Sequence, residues 1–205
     1  MKIWGRLSSI NVRKVVWAAQ ETGAPFTRVD AGAAFGIVQT PEYLRLNPNA
    51  LVPTLQDGDL VLWESNTIVR YLATRFPASG LLPSELGQRF VAEQWMDWQQ
   101  TTMNRAGREA FIQLIRTPPQ QRQMALVEQS QAAMQPLLEL LERHLSQSPF
   151  IAGPAFSMAD IPLACEMHRW FGLPVTYAHW PHLQAWYDGI YTRSASRGVL
   201  DQALS

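Results

Sequence analysis

The sequence predicts an α/β domain at its N-terminus followed by an all-α domain at its C-terminus. Three observations predict this. Short apolar runs alternate with amphipathic stretches from Met1 to about Phe76. The segment FPASGLLPSELG then gathers prolines and glycines, the punctuation of a linker. Beyond Gly87 apolar residues recur at helical spacing with no convincing strand. The expected boundaries are residues 1–78 for the first domain, 79–86 for the linker and 87–205 for the second.

Lys2 to Gly5 reads as a first strand. Val12, Val15, Val16 and Ala19 follow at helical spacing, and Gly23 and Pro25 stop that helix. Phe26 to Asp30 is a second strand, completing a βαβ pattern. The polar, glycine-containing stretch from Ala31 to Thr40 is long enough to be a functional loop. A short helix over Pro41 to Leu46 comes next. Val52 to Leu55 and Leu60 to Leu62 are brief apolar runs around Gln56-Asp57-Gly58-Asp59, a hairpin signal that pairs them antiparallel. A helix from about Glu64 to Phe76 buries Ile68, Val69 and Leu72.

In the second domain a long helix spans about Gln88 to Ile115 and ends before Thr117-Pro118-Pro119. Another covers about Gln120 to Leu145. Ser157-Met158-Ala159-Asp160 resembles a capping box, with Asp in place of the usual Glu or Gln, and opens a helix to about Phe171.

Composition excludes several function classes. The 205 residues are 47% hydrophobic, enough for a core. Seventeen basic and seventeen acidic residues cancel, so the basic excess of a nucleic-acid binder is missing. No apolar run approaches the ~18 residues of a membrane span, and no signal peptide is visible, so a cytoplasmic protein is expected. Cys165 is the only cysteine, which rules out an internal disulfide or a Cys-rich zinc cluster. His144, His168, His179 and His182 lack the spacing of a metal site, and no metal is expected.

Three short segments carry candidate chemistry. Val52-Pro53 puts a proline where a ladder donor is wanted. Either it is a sheet-edge proline, or a cis bond turns the Val52 N–H and C=O outward to pair with an extended peptide. Glu64-Ser65 opens a helix whose first amides suit a carboxylate, with Glu64 ready for an ammonium group. The plain alternative is Ser65 as a cap beside a solvated Glu64. Ser8, Ser9 and Asn11 lie between the first strand and first helix, and each is a residue type that caps helices.

Taken together, Asn47-Pro48-Asn49-Ala50-Leu51-Val52-Pro53, a hairpin, and Glu64-Ser65 at a helix start resemble the glutathione transferase superfamily. The likeness extends over nearly the whole chain. It is closest to bacterial members whose N-terminal stretch reads Trp-Gly-Arg, small polar residues, then Asn-Val-(Arg/Lys)-Lys-Val. Ala50 stands where glycine is commoner.

The resemblance implies a thioredoxin-like N-terminal domain, a helical C-terminal domain and glutathione as cosubstrate. Val52, with Pro53, would bind its cysteinyl part, and Glu64 with Ser65 its γ-glutamyl end. The glycyl end would lie near Ala31 to Thr40. Ser9 would be the thiolate-stabilising residue of a serine-type enzyme, Asn11 the second candidate and Ser8 the third, with Arg6 solvated or in a salt bridge. Relatives that form mixed disulfides keep a cysteine at this position. Here the only cysteine is Cys165, in an apolar helix, which favours conjugation to small, possibly halogenated, electrophiles. Glutathione-dependent disulfide or peroxide reduction, and a non-catalytic interaction module, are the alternatives.

Trp95, Trp98, Thr102, Arg105 and Glu109 form a stripe on the long helix, and Trp98, Thr102 and Arg105 are the implied lining of the second-substrate pocket. A homodimer is also implied, joined through the Glu64 to Phe76 helix of one chain and the Gln88 to Ile115 helix of the other.

Overall fold

In the computed structural model, which describes residues 1–205, β1 (Lys2–Trp4) is an inner strand of a four-stranded sheet. The elements that follow are α1 (Ile10–Glu21), β2 (Thr27–Val29), α2 (Pro41–Leu46), β3 (Thr54–Asp57), β4 (Leu60–Trp63) and α3 (Ser65–Arg75). The strand order is β2-β1-β3-β4. β1 runs parallel to β2, with Lys2 opposite Thr27, and antiparallel to β3, with Ile3 opposite Leu55. β3 and β4 form the expected hairpin, closed by Asp57 opposite Leu60.

The apolar spacing of α1 and α3 is that of helices burying one face. Val12, Val15, Trp17, Ile68, Val69 and Leu72 are fully buried beside Ile3 and Leu55, and α1 packs on α3. Burying a branched side chain of this size stabilises by about 1.5–3 kcal/mol. Gly5 is obligatory where β1 leaves the sheet. It has φ 149°, and a Cβ there would lie 2.4 Å from Val12 Cγ2.

Two expected boundaries move for local reasons. β3 begins at Thr54 rather than Val52, since Pro53 has no N–H for the ladder. α3 begins at Ser65 rather than Glu64, because Glu64 takes φ 68°, outside the helical region.

The chain divides into Met1–Leu82 with Ser194–Gln202, and Pro83–Arg193 with Ala203–Ser205. Sequence reading assigned everything beyond residue 87 to the helical domain. Arg13 explains why residues 194–202 join the first unit instead. Its buried guanidinium donates to Val199 O (3.0 Å) and Gln202 O (3.1 Å), and its Nε to Leu7 O (2.7 Å).

The second unit is helical. α4 (Leu86–Trp98) continues through a π-helical stretch, Gln99–Met103, into α5 (Asn104–Phe111) and a second π stretch, Ile112–Arg116. Then come α6 (Met124–Leu145), α7 (Asp160–Phe171) and α8 (Pro181–Tyr191). α6 starts four residues later than expected because the connection folds back on the preceding helix. Arg122 donates to Leu114 O and Thr117 O, and Gln123 N donates to Gln113 Oε1.

Asp160 carries the start of α7. It is fully buried and accepts from Ser157 N, Ser157 Oγ, Ile151 N and Trp186 Nε1 at 2.9–3.1 Å. Burial raises its carboxyl above the ordinary carboxylate range, and those donors offset only part of the rise. No helix is long and apolar enough to cross a membrane.

Candidate functional site

The peptide bond between Val52 and Pro53 is cis. A relay of buried polar groups holds the chain on either side of it. Asn47 Nδ2 donates to Thr54 Oγ1 (3.1 Å), which lies 2.8 Å from Tyr43 Oη, and Tyr43 Oη donates to Leu51 O (2.6 Å). Asn47 Nδ2 also donates to Leu51 O (3.0 Å). Burial raises the Tyr43 phenol above its ordinary value, with the Thr54 bond acting the other way, so it remains a donor at neutral pH. The Leu51 carbonyl is thus satisfied internally. The main-chain N–H and C=O of Val52 have no partner in the chain. They are a free donor and acceptor beside a sheet edge, the pair that an extended peptide takes up.

The N-terminus of α3 supplies the second component. No side chain caps it, so its first-turn amides present partial positive charge. Glu64 is the residue before it, exposed, with a carboxylate that makes no ion pair or hydrogen bond. Its positive φ is uncommon for a residue with a side chain, and such backbone gathers at ligand sites. Ser65 is buried, and its hydroxyl donates to Asn11 Oδ1 at 3.3 Å.

That bond ties α3 to the third component, the N-terminus of α1. Ser9 occupies the N-cap with φ −90° and ψ 122°, yet its side chain makes no capping bond. The plain capping reading of Ser9 therefore does not describe the structure. Asn11 is not the cap either: it lies inside the first turn, and with Oδ1 facing Ser65 its Nδ2 hydrogens remain available as donors. One unit thus brings Ser9, Asn11, Val52, Pro53, Glu64 and Ser65 onto adjoining loop ends and helix starts.

Next to them, residues 31–40 form a loop around a single 3-10 turn, Ala33–Phe35. Gly32 N donates to Gly36 O (2.8 Å) across its neck, and Phe35 and Ile37 are exposed. The loop has no charged side chain.

The stripe on the second unit divides. Trp98 packs edge-on against Trp95 (centroids 5.2 Å apart), and Trp95 against His144 (4.7 Å). Thr102, Arg105 and Glu109 instead line a groove of about 520 Å³, faced by Leu126, Gln129 and Ala133 of α6. Trp98 is not in its wall. Cys165 is 1% exposed, without the open, electropositive setting of a reactive thiol.

Sequence reading missed Tyr43 and Thr54, the supports of Val52. A signal existed, since Tyr43 and Asn47 are four apart and so share a side at the end of α2. It also expected Arg6 to be solvated or ion-paired, whereas Arg6 is half-buried and unpaired.

Residues 1–74 match the family described as Glutathione S-transferase, N-terminal domain, and residues 124–189 match Glutathione S-transferase, C-terminal domain. The chain is 38% identical over 200 residues to glutathione S-transferase GstB of Escherichia coli K12, covering 97% of this chain and 96% of that one. It resembles the theta class glutathione S-transferase of Xanthomonas axonopodis pv. citri, solved with glutathione bound, with 43% identity and a TM-score of 0.96. That likeness covers 100% of this chain and 98% of the other. It also resembles glutathione S-transferase I from mais, solved with an atrazine glutathione conjugate, at 27% identity and a TM-score of 0.88, covering 97% and 95% of the two chains.

Proposed function

The chain belongs to the glutathione S-transferase family, thioredoxin-like in its N-terminal domain and helical in its C-terminal domain, and from that premise we propose how its residues divide the work of a glutathione transferase. Glutathione lies extended along Val52, whose N–H and C=O pair with the cysteinyl main chain. Pro53 keeps that edge out of the protein's own ladder. The γ-glutamyl end meets the start of α3, its carboxylate on the first-turn amides and Ser65, its ammonium on Glu64. Ser65 then exchanges its long bond to Asn11 for one to the ligand.

The thiol is delivered to the start of α1. There the Ser9 hydroxyl donates to the sulfur, Asn11 Nδ2 is a second donor, and the uncapped helix end adds partial positive charge. Each favours thiolate over thiol. The thiol proton passes to solvent, the sulfur lone pair forms a C–S bond to an electrophilic carbon, and the displaced group, a halide for a halogenated acceptor, leaves with its bonding electrons. Acceleration comes from orientation and charge stabilisation rather than a covalent enzyme intermediate. Thr102 and Arg105 are proposed to contact the acceptor in the groove they line, with Trp98 packed on Trp95 outside it, and the enzyme to act in the cytoplasm as a homodimer.

The observation that carries this reading is the uncommitted Ser9 hydroxyl on an uncapped helix start, in the same unit as the unpartnered Val52 main chain. The test is Ser9→Ala against a panel of halogenated, disulfide and peroxide acceptors. Loss of one bond to a charged group costs about 1.5–3 kcal/mol, so kcat with halogenated acceptors is expected to fall roughly ten- to a hundredfold. Unchanged rates would remove Ser9 from this role. Faster turnover of the disulfide than of the halogenated acceptor would reassign the enzyme to reduction.

A further inference from the structure

We propose that Arg6 is the carboxylate-binding residue of this site, a role that rests on the glutathione-transferase reading above. Two arginines meet where β1 ends and the 31–40 loop begins. Arg28 is committed: its Nη1 donates to Gly5 O (2.8 Å), and it pairs with the Asp30 carboxylate. Arg6 is not. It is half-buried, and its guanidinium makes neither a hydrogen bond nor an ion pair.

Its location is specific. Arg6 Nη1 lies 2.7 Å from the point that a Cβ on residue 32 would occupy, and the same point is 3.5 Å from Val52 Cγ1. Gly32, with φ +80°, leaves the space that the guanidinium fills. The guanidinium therefore lies against the neck of the loop, at the glycine that also faces Val52, the residue whose main chain receives the peptide. Ser9 N donates to Arg6 O (3.1 Å), so Arg6 and the thiolate-stabilising serine are the two ends of one tight turn.

A guanidinium withdrawn from water without a counter-charge is unfavourable, and its planar fork matches a carboxylate in bidentate fashion. The loop it packs against brings no cation of its own. Arg6 thus supplies charge where the loop has none. Two carboxylates can reach such a position: the glycyl carboxylate of glutathione, and a carboxylate carried by the acceptor.

The experiment uses the full chain as wild type, Arg6→Gln and Arg6→Lys, with circular dichroism to verify folding. Calorimetry compares glutathione with its glycine-amide analogue, and kinetics compare a chloronitrobenzoate with its neutral carboxamide. A charged bond of about 1.5–3 kcal/mol corresponds to roughly a ten- to hundredfold preference.

If the glycyl end is the ligand, the wild type prefers glutathione to the amide by that factor, Arg6→Gln abolishes the preference, and Arg6→Lys restores part of it. If the acceptor is the ligand, the same pattern appears in kcat/KM for the benzoate over the carboxamide. Equal discrimination by wild type and Arg6→Gln in both comparisons, with glutathione still bound, overturns the proposal alone. A wild type that binds no glutathione overturns the transferase reading and this proposal with it.

Discussion

Ser9, Asn11 and Ser65 illustrate what a single residue discloses before folding. Ser9 is singled out by the family resemblance, yet whether its hydroxyl caps the first helix or stays free is decided by the local backbone. Asn11 was expected near the helix start, but its bond to Ser65 joins residues 54 apart in sequence, which no local pattern records. Arg6 was misjudged for the same reason, since its neighbour Gly32 lies across the sheet edge. Ala50 gives a direct prediction at this scale. It adopts φ 55°, where a Cβ costs about 1–2 kcal/mol. Ala50→Gly removes that cost and gives back part of it as unfolded-state entropy, about 0.4–1 kcal/mol. A gain of about 1 kcal/mol is expected, raising Tm by roughly 2–4 °C in a thermal melt. An unchanged or lower Tm would contradict this account of the loop.

Among the elements, the short helix over Pro41 to Leu46, the hairpin and the helix before the linker were readable because their signals are local: a proline at N1, a glycine in a two-residue turn, and apolar residues at helical spacing. The π-helical stretches after Trp98 and Phe111 were not. Gln99 in the first of them is buried and donates to Glu166 Oε2 (2.8 Å), a contact across 67 positions. The support of β3 lies between these cases. The relay from Asn47 through Thr54 and Tyr43 to Leu51 joins the end of α2 to the start of β3, and of its members only Asn47 and Leu51 stood in the recognised motif. Asn47→Ala deletes its bonds to Leu51 O and Thr54 Oγ1 in a buried setting, at a cost of about 1–3 kcal/mol. Calorimetry is expected to register weaker glutathione binding beyond the lowered Tm, because Val52 loses the support that fixes its main chain. A lowered Tm with unchanged affinity would confine Asn47 to the fold.

For the molecule as a whole, the two fold classes and their order were legible in hydrophobic period alone, while the docking of residues 194–202 on the first unit was not, because it depends on Arg13 donating across more than 180 positions. Assembly belongs to this scale too. Leu86, Phe90 and Val91 of α4 are 68%, 60% and 41% exposed, apolar surface of the kind that a partner chain covers. Light scattering at micromolar concentration is expected to give twice the monomer mass, and Phe90→Glu to lower it toward one chain. A wild-type monomer would contradict the dimer. The central claim is that this chain lowers the pKa of a bound thiol with a hydroxyl, an amide and a helix end. Its most direct measurement is an ultraviolet titration of the thiolate of glutathione bound to wild type and to Ser9→Ala. A bound pKa well below the ~8.5 of a free cysteine thiol, rising by roughly one to two units in the variant, is the predicted result. The same pKa in both proteins, or one no lower than that of free glutathione, would contradict it.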